Sequence, residues 1–254
     1  STPIELMWPK LLMGTVNSVV SPLIAFAAIM IFERAFNVAT DLRLEEFDDL
    51  NHDLMKKLND QAPGTYQHTL AVARLSEAAA SAIGANATLA RVGAYFHDVG
   101  KIETCESFVE NQIDITNKHD LLTPKKSAAI IRQHVQDGVE LAREYGLPER
   151  IVNFIPMHHG TILIGHFYQR ALEQARTSDT TVDEADFRYP GPKPDSKEAG
   201  IVMLADAVEA ISRLVESSDR ASIESRVEQV VIDRIMDGQL SDTPLTLRDL
   251  DQIS

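Results

Sequence analysis

An uncharged stretch of 22 residues, Leu11–Phe32, restricts the fold of this chain more than any other feature of the sequence. Lys10 precedes it and Glu33-Arg34 follows it. A helix of this length covers roughly 33 Å, close to the hydrocarbon thickness of a bilayer. Pro22 and several small polar residues weaken the pattern, although membrane helices tolerate both. The segment therefore predicts either a membrane-spanning helix or a helix buried against a soluble domain or a partner.

The remainder of the chain shows helical periodicity and no sustained alternation of apolar and polar residues. Pro, Gly and Thr residues at the ends of the periodic segments supply breakers and caps. We expect helices over residues 41–60, 65–83, 86–97, 124–145, 148–159, 161–176, 199–215 and 221–236. Pro156 should kink the fifth of these. Residues 100–120 and 177–197 are predicted loops, so the sequence predicts an all-α domain of about eight helices.

Charge and cysteine content narrow the classes of partner. The net charge of −14 argues against a nucleic-acid backbone, which requires a basic surface. A small anionic ligand would need metal ions or a local cluster of Lys and Arg to offset this field. Cys105 is the single cysteine, so a reducing, cytoplasmic setting fits the main domain.

Histidines recur on successive predicted helices, and carboxylates accompany them. His97-Asp98 ends one helix, and the two oxygens of an aspartate can bridge two metal ions. Asp206 lies in an apolar segment, residues 201–208, where burying an unpaired charge costs several kcal/mol. Asp206 therefore needs a metal ion, an Arg partner or strong donors. From residues alone, each histidine could equally be an ordinary core or surface histidine.

The ordered set of histidines and aspartates resembles the H…HD…H…HH…D pattern of the HD superfamily of metal-dependent phosphohydrolases. The similarity is greatest to its seven-transmembrane-receptor HD branch and extends over residues 33–250. The motifs that carry it are Ala-Pro-Gly-Thr-Tyr-Gln-His (62–68), Ala-Tyr-Phe-His-Asp-Val-Gly-Lys (94–101), Glu-Asn-Gln (110–112), His-Val-Gln-Asp-Gly (134–138), His-His-Gly-Thr (158–161), Asp-Phe-Arg-Tyr-Pro-Gly-Pro-Lys-Pro (186–194) and Asp-Gly-Gln-Leu (237–240).

This resemblance implies a centre of two divalent ions, Fe or Mn, bridged by Asp98. Imidazole and carboxylate donors suit these metals. By carry-over, one ion is held by His68, His97 and Asp206, and the other by His134, His158 and His159. Two metals lower the pKa of a bridging water and clamp a phosphate for in-line attack. Lys101 is implied to add positive charge at the phosphoryl group, unless it forms a surface salt bridge instead.

The same branch resembles enzymes that hydrolyse cyclic di-AMP to linear pApA by attack of a metal-bridging hydroxide, which is the activity that we expect. Two alternatives stay open. One is an HD phosphohydrolase acting on cyclic di-GMP or a nucleoside phosphate. The other is a non-catalytic domain that binds a nucleotide and regulates.

The resemblance also assigns the uncharged stretch, since the last membrane helix directly precedes the catalytic domain in this branch. We therefore expect a membrane-spanning helix in residues 1–35 and an HD phosphohydrolase domain in residues 36–254. The chain would be part of a longer protein in the bacterial cytoplasmic membrane, with this domain facing the cytoplasm. The expected partners are the cyclic dinucleotide and the membrane, and we do not expect nucleic acid to bind. A homodimer is compatible with this expectation.

The loop at residues 186–194 is the candidate for substrate contact. Arg188 and Lys193 could meet phosphates, and Tyr189 could stack on a base; the alternative is a rigid loop held by its prolines. Residues 102–106 depart from the basic, proline-containing sequence expected after the HD motif. A second His-Asp pair, His119-Asp120, matches no ligand position, and His52 and His166 receive no role.

Overall fold

A computed structural model describes residues 4–36, 40–112, 117–178, 180–213 and 220–254. It divides into two units, Ser1–Thr40 and Asp41–Ser254. The first consists of helix α1, Ile4–Phe36. Within it, Met7–Phe32 is long and apolar enough to cross a membrane. Its large apolar side chains are exposed, Trp8 by 68% and Met13 by 74%. These properties suggest that α1 associates with a membrane.

Most described residues of the second unit are helical. Its helices are α2 Asp41–Phe47, α3 Asp53–Gln61, α4 Pro63–Ala82, α5 Ala87–Phe96, α6 Pro124–Glu144, α7 Glu149–Val152, α8 Phe154–Met157, α9 Gly165–Ser178, α10 Lys197–Ser212, α11 Arg220–Met236 and α12 Leu247–Ile253. Short 3-10 helices cover Val99–Ser107, Val109–Asn111, Lys118–Leu121 and Glu184–Phe187. One isolated antiparallel bridge joins Leu163 to Arg188, and the described residues contain no longer strand pairing. The all-α prediction is confirmed.

Helices α4, α5 and α10 pack against one another and form the centre of the domain. Small side chains allow the close approach: Ala80 of α4 and Ala90 of α5 share a buried cluster with Ile201 of α10. On the other side of α10, Met203 and Leu204 pack with Val230 and Val231 of α11. Since α10 is buried against neighbours on both sides, a charged side chain in its middle must face a polar site.

Helix α6 crosses the residues that follow the His97-Asp98 pair at backbone contact. A Cβ atom on Gly100 would lie 1.9 Å from the carbonyl oxygen of His134 and 2.4 Å from the amide nitrogen of Gly138. Any side chain at Gly100 would therefore push α6 away. This contact fixes the distance between Asp98 and the histidine of α6.

Three predicted boundaries are wrong for local reasons. The segment 41–60 is two helices, because Asn51 donates to the side chain of Asp49 and His52 then caps α3 by accepting from the amide of Leu54. The segment 148–159 breaks at Asn153, earlier than the predicted kink. Pro156 lacks an amide hydrogen and its ring conflicts with the carbonyl four residues back, so α7 ends there.

The third boundary concerns residues 161–164, which pair with the loop at 187–189 before α9 begins at Gly165. Ile164 donates to Phe187, and Tyr189 donates to Ile162. The predicted end of the helix 199–215 lies outside the described residues, which end at residue 213 in this region. The described parts of the predicted loops 100–120 and 177–197 contain 3-10 turns, helix ends and the bridge residue Arg188.

Candidate metal centre

The seven predicted ligand residues come together in the middle of the second unit. They are supplied by α4 (His68), the end of α5 (His97, Asp98), α6 (His134), the end of α8 (His158, His159) and α10 (Asp206). Most of these side chains are almost fully buried, whereas those of His159 and Asp206 are each 17% exposed. The open side of the centre therefore lies at His159 and Asp206.

Asp98 occupies the middle of this centre, with its two oxygens facing different histidines. Oδ2 lies 3.3 Å from Nε2 of His97 and 3.5 Å from Nε2 of His68. Oδ1 lies 3.5 Å from Nε2 of both His134 and His158. A carboxylate placed in this way can give one oxygen to each of two cations.

The donor atoms accordingly form two groups, within each of which all atoms lie within 4.8 Å of one another. The first contains His68, His97, Asp98 and Asp206, and the second contains Asp98, His134, His158 and His159. This is the division that the family resemblance implies, with Asp98 shared. The first group contains two carboxylates, Asp98 and Asp206, whereas the second contains only Asp98. Oδ1 of Asp206 lies 3.0 Å from Nε2 of His68.

Backbone carbonyls orient three of the histidines. The Nδ1 atom of His97 donates to Ala94 over 2.6 Å, and those of His134 and His158 donate to Ile131 and Ile155 over 2.5 and 2.7 Å. A carbonyl only accepts, so in a neutral ring the proton sits on Nδ1 and the lone pair on Nε2. Each Nε2 lone pair then faces the centre, as a metal ligand requires.

His68 is oriented by a carboxylate instead. Its Nδ1 hydrogen-bonds to Oε2 of Glu209, which is 7% exposed, and Oε1 of Glu209 accepts from Nε of Arg213 over 2.6 Å. A carboxylate behind a histidine makes the ring a more basic ligand. The sequence analysis missed Glu209. A signal existed, because residues three apart on a helix share a face and Glu209 follows Asp206 by three.

The polar atoms of this centre fit metal ions. In the described part of the chain, four buried atoms here have neither a hydrogen-bond nor an ion-pair partner within 3.2 Å: Nε2 of His97, His134 and His158, and Oδ1 of Asp98. Buried polar groups are normally satisfied, and leaving one unpaired costs about 1–3 kcal/mol. Unpaired imidazole lone pairs converging on a carboxylate form a cation-binding arrangement, and the HD-type His/Asp cluster indicates divalent metal binding.

The two groups differ in their affinity for protons. Burial disfavours a charged His97, but Asp98 and Asp206 outweigh it and raise the pKa of His97 to about 10. Burial lowers the pKa of His134 to about 4, against the attraction of Asp98. Burial likewise holds the pKa of His159 well below its ordinary value. Metal binding must displace a proton from His97 in the first group, whereas His134 and His159 in the second group are neutral at pH 7.

Lys101 forms a buried ion pair rather than a surface one. Its Nζ lies 2.8 Å from Oδ2 of Asp98 and 2.8 Å from Oε1 of Glu110, and 4.9 Å from the centre of the Phe108 ring. Burial opposes the charge on Lys101, but the two carboxylates outweigh it and raise its pKa. Lys101 therefore stays charged and fixes the orientation of Asp98. Its contact with a phosphoryl group stays a prediction.

Glu110 received no role in the sequence analysis, although it opens the Glu-Asn-Gln motif. Besides Lys101, its Oε1 accepts from Oγ1 of Thr65 over 3.3 Å, and the neighbouring Asn111 accepts from the backbone of Thr65. Burial raises the pKa of Glu110, but Lys101 outweighs burial, so the net shift is downward. The motif thus ties the start of α4, which carries His68, to the lysine that holds Asp98.

The loop at residues 186–194 contributes Tyr189 to the rim of the centre. The Tyr189 ring stacks on His159, with centroids 4.1 Å apart and planes at 25°. Tyr189 itself is buried, 8% exposed, and burial raises its pKa. The stacking restrains the ring of His159. Among the described residues, the ion-pair partner of this ring is Asp206, whose Oδ2 lies 4.0 Å from Nδ1 of His159. Stacking of Tyr189 on a base stays a prediction.

The other two predicted substrate contacts are engaged within the chain. Arg188 bonds to Glu184 over 2.7 Å, to Asp237 over 3.1 Å and to the carbonyl of Thr161 over 2.8 Å. Lys193 donates to the carbonyl of Gly238 over 2.8 Å. Both would have to exchange these partners for a phosphate, so their contact with substrate stays a prediction.

The remaining histidines lie away from the centre. His119 is buried and its Nε2 bonds to the carbonyl of Ser107 over 3.0 Å, which supports its interpretation as a structural residue. His52 caps α3, and the ring of His166 lies against Phe167. None of the three belongs to either donor group.

The comparisons with known proteins agree with this geometry. Residues 65–211 match the model of the HD domain. The chain is 43% identical over 244 residues to the cyclic-di-AMP phosphodiesterase PgpH of Bacillus subtilis, covering 96% of this chain and 34% of that protein. It is 41% identical over 228 residues to PgpH of Listeria monocytogenes, covering 90% of this chain and 31% of that protein. The chain thus spans about a third of the length of these curated relatives.

A solved structure is similar over the whole domain. The crystal structure of the L. monocytogenes PgpH HD domain in complex with cyclic di-AMP is 42% identical, with a TM-score of 0.77. The match covers 81% of this chain and 94% of that one. The helical fold of this chain is therefore similar to that of a domain crystallised with cyclic di-AMP.

Proposed function

Since this chain belongs to the HD-domain family, we propose that it is a metal-dependent phosphodiesterase that hydrolyses cyclic di-AMP to linear pApA. The observation that carries the proposal is the position of Asp98, whose two oxygens face two separate groups of histidines. A pure nucleotide-binding domain has no need for a buried carboxylate between two sets of unpaired imidazoles. Two adjacent cations suit hydrolysis of a phosphodiester, because they can stabilise both the attacking and the leaving oxygen.

We assign one ion to His68, His97 and Asp206, the other to His134, His158 and His159, and the bridging position to Asp98. The donor set supports Fe or Mn, because it contains imidazole and carboxylate and, among these residues, no thiolate. When bound, the ions would activate a water molecule and neutralise charge on the phosphate. His159 is the weakest assignment, since it is held by stacking on Tyr189 rather than by a hydrogen bond to its ring.

The chain's own residues would prepare the centre for this reaction. The carbonyl partners of His97, His134 and His158 orient each Nε2 atom toward the centre, so these rings need not turn when an ion binds. Lys101 holds Asp98 in place and offsets part of the negative charge that would otherwise repel an approaching phosphate. The buried walls exclude bulk water and strengthen these interactions.

The substrate assignment rests on the relatives. The B. subtilis and L. monocytogenes proteins are named as cyclic-di-AMP phosphodiesterases, and the related HD domain was crystallised with that dinucleotide. We further propose that residues 1–35 anchor a domain spanning residues 36–254 to the bacterial cytoplasmic membrane, with the domain on the cytoplasmic side. The apolar, exposed surface of α1 supports the anchor. A homodimer stays a prediction.

The test is turnover by purified, detergent-solubilised protein loaded with Mn²⁺ or Fe²⁺. Cyclic di-AMP, cyclic di-GMP and a panel of nucleoside phosphates are assayed in parallel, and metal content is measured on the same preparation. We expect about two equivalents of metal and conversion of cyclic di-AMP to pApA. Absence of turnover with cyclic di-AMP, when another substrate is cleaved, would overturn the substrate assignment. Less than about one equivalent of metal would favour a regulatory nucleotide-binding domain.

A further inference from the structure

We propose that Arg234, on α11, binds a phosphate group of the dinucleotide at the open side of the metal centre. This inference rests on the proposed phosphodiesterase function and adds a recognition residue to it. Arg234 lies outside the motifs that carry the family resemblance, and it belongs to neither group of metal-donor residues.

A cation that binds substrate must be free to do so, and the other cations near the centre are engaged. Lys101 is paired with Asp98 and Glu110. Arg188 is paired with Asp237 and a second carboxylate, and Lys193 donates to a backbone carbonyl. Each of these groups would have to break a charge-assisted or backbone contact before it could meet a phosphate.

Arg234 has no such partner. Its Nε is buried and makes no hydrogen bond, and its guanidinium forms no ion pair within 4.0 Å among the residues that the structure describes. Two carboxylates lie near it in sequence but are used elsewhere: Asp233 on α11 accepts from Gln229, and Asp237, just after α11, accepts from Arg188 and Gln239. A guanidinium has five donors and no acceptor, so its buried donor calls for an external acceptor.

The packing of α11 directs Arg234 toward the centre. Val230 and Val231, which lie one turn before Arg234, pack in a buried cluster with Met203 and Ala207 of α10. Residues three and four apart share a helix face, so Arg234 continues the face that meets α10. Met203 and Ala207 flank Asp206 on α10, and the carboxylate of Asp206 attracts Arg234.

Hydrogen bonds after α11 hold this face against the loop that carries the histidine pair. Gln239 is fully buried, and its side-chain Oε1 accepts from the backbone amide of Thr161 over 2.9 Å. The backbone amide of Gln239 donates to the carbonyl of Arg234 over 2.9 Å. Gly160 leaves room for the Gln239 side chain, since a Cβ there would lie 2.6 Å from Oε1. Arg234 is thus linked through one residue to the segment that directly follows His159.

The electrostatics of Arg234 suit an anion. Burial lowers its pKa, and the attraction of Asp206 only partly opposes this; the group nevertheless stays protonated at pH 7. The chain as a whole carries a charge of −14, so a dinucleotide with two phosphates is repelled unless a local cation receives it. A guanidinium binds phosphate oxygens in pairs and is less strongly hydrated than an ammonium group.

The experiment compares Arg234→Gln and Arg234→Lys with the wild type and with Arg226→Gln as the matched control. Arg226 lies on the same helix, carries the same charge and is exposed. We expect Arg234→Gln to lower kcat/KM for cyclic di-AMP by about 10- to 100-fold, as for loss of hydrogen bonds to a charged group, while metal content stays at the wild-type level. Arg234→Lys should recover part of the loss, and Arg226→Gln should stay within about twofold of wild type.

Inorganic phosphate serves as a second probe, independent of the dinucleotide. Its dissociation constant for the Mn²⁺-loaded protein should rise at least about tenfold in Arg234→Gln and stay unchanged in Arg226→Gln. If the wild type does not cleave cyclic di-AMP but shows this difference, the proposed function fails and the Arg234 site stands. Wild-type phosphate affinity in Arg234→Gln would overturn the site. Loss of metal from Arg234→Gln would also overturn it, because Arg234 would then act through Asp206.

Discussion

Replacing Asp98 by Asn tests the bridging arrangement sharply, because the structure dictates how the amide must sit. Lys101 lies 2.8 Å from Oδ2 and can only donate, so the amide NH2 cannot take that position. The amide oxygen therefore replaces Oδ2. The NH2 group replaces Oδ1, 3.5 Å from the acceptor Nε2 atoms of His134 and His158.

The two metal groups then suffer different losses. The first keeps His68, His97, Asp206 and a neutral oxygen. The second loses its one carboxylate and gains an NH2 group that cannot coordinate a metal. Mutations that only disturb the support of a ligand cost 10–100-fold in metal affinity, so loss of a direct ligand should cost at least about 100-fold. At 1.36 kcal/mol per decade this is about 2.7 kcal/mol or more.

The expected result of Asp98→Asn is a folded protein with about one equivalent of metal, where the wild type holds about two. Turnover should fall by at least about 100-fold, because the proposed reaction uses both ions. The fold should survive, since Lys101 keeps Glu110 at 2.8 Å and no buried charge is left unpaired. We expect the free energy of unfolding to fall by about 1–3 kcal/mol, the worth of hydrogen bonds to a charged group.

Elemental analysis after gel filtration measures the metal, thermal unfolding measures the fold, and double variants locate the remaining ion. His134→Ala added to Asp98→Asn should leave one equivalent, whereas His68→Ala added to it should remove the ion. Asp120→Asn is the control, since Asp120 belongs to the other His-Asp pair and is exposed. Two equivalents of metal with near-normal turnover in Asp98→Asn would refute the bridge. A remaining ion that depends on His134 would refute the orientation imposed by Lys101.

Three further changes probe the surroundings of the centre. Glu209→Gln should weaken metal binding by about 10- to 100-fold at the group containing His68, measured by calorimetry with Mn²⁺, and an unchanged affinity would show that Glu209 only packs. Gly100→Ala should destabilise the domain by about 1–3 kcal/mol or more, since its Cβ would meet a backbone carbonyl of α6; Gly165→Ala, with open space around it, is the control for thermal unfolding. The pKa of Asp249 is lowered to about 2, first by a backbone N–H at the start of α12, so its stabilisation is complete above about pH 4 and lost toward pH 2. Asp249→Asn should therefore melt below the wild type at pH 7, and the difference should close between about pH 4 and pH 2.

Much of the centre could be predicted because its ligands follow one another in a fixed order along the chain. His97-Asp98 alone says little, but four other segments supply His or Asp at positions that the family pattern joins. Asp206 was identified for a physical reason, the cost of burying its charge in an apolar helix. The structure agrees, and places it 3.0 Å from His68. The helices were predicted from apolar periodicity and capping residues, because both signals are local to each segment.

Contacts between distant segments escaped prediction. Glu110 and Glu209 orient Lys101 and His68 across 9 and 141 positions of sequence, and no local pattern shows which carboxylate faces which cation. The break at Asn153 escaped for a different reason. The effect of Pro156 was placed at the proline itself, whereas the steric conflict arises at the carbonyl four residues earlier.

Residues 102–106 depart from the basic sequence expected after the HD motif, and the acidic side chains of this segment form ion pairs in the structure. Glu103 lies 3.7 Å from Lys57, and Glu106 lies 2.6 Å from Lys118. Residues 102–106 contain no Lys or Arg, and the two lysines beside them are paired with their glutamates. Under the proposed function, a dinucleotide would find no free cation on this segment for its second phosphate, whereas Arg234 on α11 has a buried Nε without a hydrogen-bond partner. Cys105→Lys should restore part of the substrate affinity that Arg234→Gln loses, because the new ammonium group would offer a phosphate the positive charge that this segment lacks.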